Sequence, residues 1–260
     1  MIRIKMKLLV DMGNSRMKWA TIADGMLSPL SSVAYDRFAE LKNDWQNIGV
    51  PEQVWVSCVT EEAHWSSIEQ LSQMLWGLTA QRISSLREEH GVSNAYVDAA
   101  QLGSDRWATL IAAHQLYSTP VCVVDCGTAL TVDGLSAKGQ HLGGVIVPGV
   151  QMMQSSLNAN TAAISTSGYV DDHILPTSLL ANDTASGIIN GSWLSVVGVV
   201  VKVYESLSEQ NNDKVVCLLT GGNAALLAKQ LPELLRSVSV VDPGLVLKGL
   251  AVMAGESITI

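Results

Sequence analysis

The sequence predicts an α/β protein built from two similar halves, and three observations lead to that prediction. The chain has 260 residues and is 48% hydrophobic, enough to bury one large core or two ordinary ones. A short apolar run precedes an acidic, glycine-containing turn at Asp11 and again at Asp125, 114 residues later. After each turn, β-rich runs and helical stretches follow in a similar order. Because a repeat of this length is a whole subdomain, we expect subdomains at 1–118 and 119–260.

The first half begins with strands around a tight turn. The apolar start of the chain stops at Asp11, too early for a signal peptide, and is interpreted as a first strand that leads through the turn into a second. Residues 53–59 (QVWVSCV) are another β-rich run. Residues 61–75 repeat apolar side chains at helical spacing, and residues 105–117 are an Ala- and Leu-rich helix that ends before Pro120.

The second half restarts this pattern. Residues 120–149 have the composition of three extended segments separated by turns, and residues 214–223 (KVVCLLTGGN) are a further β-rich run. Residues 224–235 are typical of a helix. Residues 193–207 are rich in β-branched side chains, but their length and their position after Gly191-Ser192 favour a helix.

Composition excludes several classes of partner. The 24 acidic and 16 basic residues give a formal charge of −8, and no long basic run is present, so we expect neither nucleic acid nor an anionic membrane as partner. The apolar run 196–201 falls far short of the roughly 20 residues of a membrane span. Four cysteines without C-x-x-C spacing predict buried, reduced thiols in a cytoplasmic protein: Cys58, Cys122, Cys126 and Cys217.

The two acidic turns have a chemistry that suits phosphate. Glycine lets a ligand approach the backbone, whose successive N–H groups form a small anion-binding concavity. A carboxylate at the head of the turn would repel a bare phosphate, unless a cation such as Mg²⁺ lies between them. Each turn alone could be an ordinary hairpin. Neither a G-x-x-x-x-G-K-[ST] nor a G-x-G-x-x-G motif occurs, so a bound nucleotide would depend on the paired turns.

Paired D-x-G turns resemble those of the superfamily of sugar and acetate kinases, actin and the heat-shock ATPases, which clamp ATP between two similar subdomains. Six motifs occur in order along the chain: DMGNSRMK from Asp11, YVDAAQLGSDRW from Tyr96, VVDCGTALTVD from Val123, GGVIVPGVQM from Gly143, the segment from Thr184 to Ser192, and LTGGNA from Leu219. By these motifs the chain is similar, within that superfamily, to the type III pantothenate kinases. The resemblance implies duplicated actin-like (ribonuclease H-like) subdomains with mixed sheets flanked by helices.

The resemblance implies ATP-dependent phosphorylation of pantothenate to 4′-phosphopantothenate, the first step of coenzyme A biosynthesis. Asp11 would hold Mg²⁺, and Asp125 would hold a monovalent cation, K⁺ or NH₄⁺. The remaining nucleotide contacts would be Gly13, Asn14, Ser15, Lys18, Thr128, Gly221 and Gly222. From the residues alone, Lys18 could also be a solvated strand residue, and Gly221-Gly222 an ordinary turn.

The same resemblance assigns the pantothenate site. Asp105 matches the proposed general base, and Arg106 matches an arginine that binds pantothenate; the other substrate contacts would be Tyr96, Gly103, Ser104 and Thr184. In the family the matching threonine comes from the partner of a homodimer, so a homodimer is expected. On residues alone, Asp105 could be a helix N-cap and Tyr96 a half-buried aromatic. The chain departs from the family pattern at Ile164-Ser165, where a Leu-Pro is expected.

Two other functions remain compatible with these motifs. One is another small-molecule kinase of the superfamily that acts on a sugar or a carboxylic acid, against which the LGSDRW motif and Tyr96 argue. The other is a non-catalytic relative that serves as an accessory factor in transcription. Loss of Asp11 or Asp105 would favour that second alternative, and both residues are present.

Overall fold

The computed structural model describes residues 5–160, 175–176, 178–211 and 214–259. The chain forms two compact units, Met1–Leu116 with Gly244–Ile260, and Tyr117–Pro243. The boundary between the units lies close to the predicted cut at 118/119. The last segment differs from that prediction, because it groups with the first unit instead of the second.

The first unit is built on a mixed sheet. Its strands run in spatial order β3-β2-β1-β5-β6, with β4 also paired to β2, and β7 and β8 form a separate hairpin. β1 is antiparallel to β2 and parallel to β5. The strands are β1 (Met6–Met12), β2 (Arg16–Ala23), β3 (Met26–Leu27), β4 (Ser31–Ala34), β5 (Gln53–Cys58), β6 (Gln81–Arg82), β7 (Glu88–Glu89) and β8 (Val92–Ser93).

Three helices of the first unit alternate with these strands in the chain: α1 (Leu41–Gln46) between β4 and β5, α2 (Glu62–Trp76) between β5 and β6, and α3 (Ser104–Leu116) after β8. Alternate residues of β1 point to opposite faces of the sheet. Leu8 and Val10 pack into a core with Trp65 and Ile68 of α2, whereas Leu9 packs into a second core on the side of α3. The predicted helices at 61–75 and 105–117 are therefore confirmed.

The second unit repeats the sheet of the first. Its strands are β9 (Val121–Cys126), β10 (Ala129–Leu135), β11 (His141–Pro148), β12 (Val216–Thr220) and β13 (Ser239–Val241), in spatial order β11-β10-β9-β12-β13. β9 is antiparallel to β10 and parallel to β12, as β1 is to β2 and β5. The internal duplication inferred from the two turns is thus present in the strand order and directions.

Helices α4 (Val150–Asn160), α5 (Thr184–Gln210), α6 (Ala224–Gln230) and α7 (Glu233–Arg236) complete the second unit. The β-branched stretch 193–207 lies inside α5, which confirms the predicted helix. Residues 224–235 form two helices instead of one, because Pro232 has no N–H to continue the first and begins the second. By length and composition alone α5 could cross a membrane, and 28% of its most apolar stretch is buried inside the structure.

The final helix, α8 (Leu245–Met253), belongs to the first unit. Its side chains Val246, Leu247, Leu250 and Ala251 share a core with Leu9 of β1 and Ala108 of α3. α8 therefore fixes α3 against the sheet from the far end of the chain. All four cysteines are buried and free, as predicted.

Candidate active site

The first acidic turn is the loop between β1 and β2. β1 ends at Met12 and β2 begins at Arg16, so the loop comprises Gly13, Asn14 and Ser15. Asp11, the next-to-last residue of β1, is only 8% exposed. Asn14 and Ser15 are exposed. Four of the five predicted nucleotide-side residues of this motif thus lie together, with a buried carboxylate beside accessible polar groups.

Lys18 lies directly opposite Asp11 in the antiparallel pair of β1 and β2. Directly opposed residues of such a pair project from the same face of the sheet. Lys18 is half-buried, so its stem is packed while its ammonium group lies on the side of the sheet that carries Asp11. Its predicted contact with phosphate remains a prediction.

Tyr35 supports the turn from outside the motif. Its hydroxyl donates a hydrogen bond of 2.7 Å to the carbonyl oxygen of Gly13, and its ring stacks on His64 with 4.0 Å between centroids. Burial is the main reason why the pKa of Tyr35 rises to about 12, and the nearby Asp11 carboxylate raises it further. The hydroxyl therefore keeps its proton at neutral pH and can donate a hydrogen bond. No sequence pattern indicated Tyr35, because its partner is a backbone carbonyl 22 residues away.

The start of α3 is fixed to the same edge of the sheet. Ser57 of β5 is the parallel register partner of Asp11, and its hydroxyl lies 3.0 Å from the hydroxyl of Ser104. The Ser104 hydroxyl also accepts a hydrogen bond of 3.2 Å from the backbone N–H of Cys58. The first residue of α3 is thereby held one strand away from Asp11, so the two motifs meet in the first unit.

Asp105 follows in the first turn of α3, where the helix dipole favours negative charge. Its Oδ1 accepts a hydrogen bond of 2.7 Å from the backbone N–H of Arg106. The carboxylate also lies against the backbone of Gly103, where an added Cβ would be 2.5 Å from Oδ1. A side chain at position 103 would therefore displace the Asp105 carboxylate, and Gly103 leaves room for it in its present position.

Arg106 and Tyr96 form a pair. Nη1 of Arg106 donates a hydrogen bond of 2.8 Å to the Tyr96 hydroxyl, and the guanidinium carbon lies 5.6 Å from the centre of the tyrosine ring. Arg106 is only 6% exposed, and a buried guanidinium requires polar partners. The two residues predicted to bind pantothenate are therefore brought together, although ten positions separate them in the chain.

The loop that carries Tyr96 is contacted by a residue that the motifs did not include. Arg87 donates hydrogen bonds to the backbone carbonyls of Asn94, Tyr96 and Val97. Its sequence signal was weak, since an arginine in a charged stretch is usually solvated.

The second acidic turn lies between β9 and β10. Cys126 pairs with Leu130, so this loop is one residue shorter than the first. Asp125 lies opposite Thr131, and the position that Lys18 occupies in the first unit is therefore a threonine in the second. The Thr128 carbonyl accepts a hydrogen bond of 3.0 Å from the N–H of Gly149, which closes the loop.

Gly221 packs against Asp125 from the end of β12. It has a φ of +93°, and an added Cβ would lie 2.3 Å from Oδ1 of Asp125. Only glycine fits this backbone conformation and this close approach. Gly222 has open space where a Cβ would stand, which leaves room for a ligand beside the backbone.

Thr184, the last predicted substrate contact, begins α5 and is exposed. The carboxylate of Asp183 caps this helix by accepting a hydrogen bond of 2.9 Å from the N–H of Ser186. The departure from the family pattern at residues 164–165 lies outside the described residues.

The predicted cation ligands are single carboxylates. Within the described ranges, no group of three or more His, Cys, Asp or Glu side chains could hold a metal ion. Mg²⁺ commonly binds one or two carboxylates and completes its shell with water and substrate phosphates. The carboxylate of Asp11, beside an exposed polar turn, fits that donor set. Asp125, with the backbone carbonyls of its turn, offers the oxygen ligands that a hard monovalent cation takes.

Comparison with known proteins identifies close relatives over the whole chain. The family model described as type III pantothenate kinase matches residues 7–206. A type III pantothenate kinase of Nitrosococcus oceani is 34% identical over an alignment of 260 residues, gaps included. The alignment covers 97% of this chain and 95% of the relative. One of Azoarcus is 36% identical over 252 residues, covering 96% and 90%.

Solved structures with low sequence identity share the fold. The ethanolamine utilization protein EutJ from Carboxydothermus hydrogenoformans has a TM-score of 0.55 at 13% identity, with 96% of this chain and 90% of that chain covered. The activator of the 2-hydroxyisocaproyl-CoA dehydratase from Clostridium difficile, solved with ADPNP bound, has a TM-score of 0.51 at 11% identity, with 96% and 94% covered. These similarities confirm the predicted actin-like α/β fold.

Proposed function

The chain belongs to the type III pantothenate kinase family, and we propose that the residues at the start of α3 and in the two acidic turns carry out that family's reaction. In this reaction the γ-phosphoryl group of ATP is transferred to the primary hydroxyl of pantothenate, which gives 4′-phosphopantothenate and ADP. The observation that carries the assignment to residues is the arrangement at the start of α3. There a carboxylate in the first helical turn adjoins a buried arginine that is hydrogen-bonded to a tyrosine.

Asp105 is the proposed general base. Ser104 anchors the helix start to β5, and Gly103 leaves room for the carboxylate, so Asp105 is held in place by the fold. It would orient the pantothenate hydroxyl and accept its proton as the phosphoryl group transfers. Little covalent work is required of the protein, because phosphoryl transfer depends mainly on positioning and charge stabilisation.

Arg106 and Tyr96 are the proposed anchors for the pantothenate carboxylate. A guanidinium has five N–H donors in a planar fork, which matches a carboxylate, and Nη1 of Arg106 donates to the Tyr96 hydroxyl. A fixed arginine would place the far end of the substrate and so align the hydroxyl with Asp105. Gly103 and Ser104 would contact the substrate between these two points.

ATP is the proposed ligand of the acidic turns. Gly13, Asn14 and Ser15 would donate hydrogen bonds to its phosphates, with Lys18 adding a positive charge. Thr128, Gly221 and Gly222 are the proposed nucleotide contacts of the second unit. When bound, Mg²⁺ at Asp11 and a K⁺ or NH₄⁺ ion at Asp125 would neutralise phosphate charge, which the protein's own net charge of −8 does not do.

A homodimer is proposed from the apolar surface of the second unit. Outward-facing side chains on packed elements are exposed: Ile146 at 58%, Met152 at 44%, Leu157 at 41% and Leu194 at 55%. β11 is also an edge strand, which needs protection from unwanted pairing. A second copy of the chain would cover these groups and bring Thr184 to the partner's substrate. From the net charge of −8 and the free cysteines, we propose a cytoplasmic enzyme without a nucleic-acid or membrane partner.

A paired assay tests the residue assignment. Wild-type protein with ATP, Mg²⁺ and K⁺ should consume ATP only when pantothenate is added, and replacing K⁺ with Na⁺ should strongly reduce the rate. Asp105→Asn should abolish turnover but retain the thermal stability and nucleotide affinity of the wild type. Asp44→Asn removes the same charge from an exposed position on α1 and should stay active. Turnover by Asp105→Asn at the wild-type rate would refute the role of Asp105.

A further inference from the structure

The loop between β8 and α3 carries Tyr96 but has little regular structure to hold it. Residues 94–103 contain a single short 3₁₀ turn at Ala99–Gln101. None of the side chains from Ala95 to Ala100 is buried, and Val97 is 99% exposed. Buried apolar side chains therefore contribute little to holding residues 95–100, although Leu102 at the end of the loop is buried. Hydrogen bonds hold this exposed part of the loop.

Arg87 supplies three of these bonds from one side chain. Nη1 donates to the carbonyl oxygens of Asn94 at 2.9 Å and Tyr96 at 2.8 Å, and Nη2 donates to that of Val97 at 2.6 Å. A planar guanidinium can donate to several carbonyls at once, whereas an ammonium group is a point charge on a flexible stem. The fork geometry of Arg87 is thus matched to three carbonyls of the loop.

Asn94 holds the same loop from inside, by hydrogen bonds of its side chain. It is 5% exposed, and its Oδ1 accepts a hydrogen bond of 2.9 Å from the backbone N–H of Tyr96. Its Nδ2 donates to the carbonyls of Leu86 and Ala99, each at 3.2 Å. Both backbone groups of Tyr96 are therefore held, the carbonyl by Arg87 and the N–H by Asn94. Its hydroxyl is held by Arg106.

We infer that Arg87 is a positioning residue for the acceptor substrate: it fixes the loop so that Tyr96 and Arg106 meet the acceptor's carboxylate with the correct geometry. This inference rests on the proposed function of Tyr96 and Arg106, and it extends that function to a residue without a place among the motifs. Arg87 acts on the acceptor side only. Its bonds reach none of the residues proposed for ATP.

The test is Arg87→Lys, which keeps the charge and removes the fork. The KM for pantothenate should rise about 10-fold or more, as misplaced binding groups are costly, while the KM for ATP changes less than about twofold. Hydrogen–deuterium exchange should become faster in the peptide that contains residues 94–101 and stay unchanged in β1, β5 and α8. The matched control is Arg82→Lys, because Arg82 pairs with Glu62 at 2.7 Å and lies over Trp65, away from the loop.

Several outcomes would overturn the inference. An unchanged exchange rate in residues 94–101 would show that Arg87 does not hold the loop. If exchange in residues 94–101 is faster in Arg87→Lys but the KM for pantothenate is unchanged, the hydrogen bonds of Arg87 do not position the substrate. Equal rises in both KM values would indicate general destabilisation instead. A wild-type protein inactive towards pantothenate would refute the proposed function itself, and the exchange rates would still report on the loop without any substrate.

Discussion

The hydrogen bond from Tyr35 to Gly13 gives a sharp prediction about ATP binding. The Gly13 carbonyl and the Asn14 N–H belong to one planar trans peptide and point in opposite directions. By holding the carbonyl at 2.7 Å, the tyrosine hydroxyl also sets the direction of the Asn14 N–H. Tyr35→Phe removes this bond but keeps the ring that stacks on His64, so the variant should fold normally with a less ordered turn.

The size of the effect follows from the bond that is lost. An intramolecular hydrogen bond contributes about 0.5–1.5 kcal/mol net, and about 1.4 kcal/mol corresponds to a factor of ten in affinity. If that energy serves to hold the turn ready for its ligand, the affinity for ATP should fall by between about twofold and about tenfold. The KM for pantothenate should stay at the wild-type value, because the bond is made to the turn between β1 and β2.

Isothermal titration with a non-hydrolysable ATP analogue measures this directly. The matched control is Tyr204→Phe, which removes a hydroxyl that donates to the Val215 carbonyl at 3.3 Å in the second unit. The control should bind the analogue as the wild type does. Equal affinity of Tyr35→Phe and wild type for the analogue would show that the hydrogen bond to Gly13 does not prepare the turn for ATP. A loss of affinity of the same size in Tyr204→Phe would show the same.

Three further predictions follow from single contacts. Gly221→Ala should lower the free energy of unfolding by about 1–2 kcal/mol for its left-handed backbone alone, whereas Gly222→Ala, with open space at that position, should melt as the wild type does. Because the pKa of native Tyr35 is raised to about 12 from 10.0, its contribution to stability should be complete below pH 10 and be lost as the pH rises towards 12; an equally steep loss in Tyr35→Phe would contradict this. Leu194→Glu should give monomers in light scattering. Leu234→Glu, at a leucine on α7 that is 81% exposed against 55% for Leu194, should leave the dimer intact, and dimers in both variants would argue against the proposed interface.

The sequence predicted those parts of the fold that depend on local pattern. The two turns at Asp11 and Asp125 follow buried strands, and their spacing revealed the duplication that the sheets share. The helix at 193–207 was predicted from its length and its position after Gly191-Ser192, despite its β-branched content. Its buried residues, Trp193, Val196, Val200 and Leu207, pack into the core of the second unit. Pro232 is a local signal for a helix end that the prediction did not use, and it divides the predicted helix at 224–235 into two.

Contacts between distant parts of the chain were not predictable in this way. α8 joins the first unit because its apolar face completes the core beside Leu9 and Ala108, and no nearby residue indicates that pairing. Within the candidate site, Tyr35 and Arg87 act on backbone carbonyls. A carbonyl is present at every position of the chain, so a bond to one leaves no pattern of side chains to recognise.

If this chain phosphorylates pantothenate with Asp105 as base, the reaction product must be 4′-phosphopantothenate and its formation must depend on Asp105. Purified protein with ATP, Mg²⁺, K⁺ and pantothenate should yield 4′-phosphopantothenate and ADP in equal amounts by ³¹P NMR and mass spectrometry, with neither product formed by Asp105→Asn. Release of ADP and inorganic phosphate without phosphorylated pantothenate would contradict the proposed reaction. The same product yield from Asp105→Asn would contradict the role of Asp105 as base.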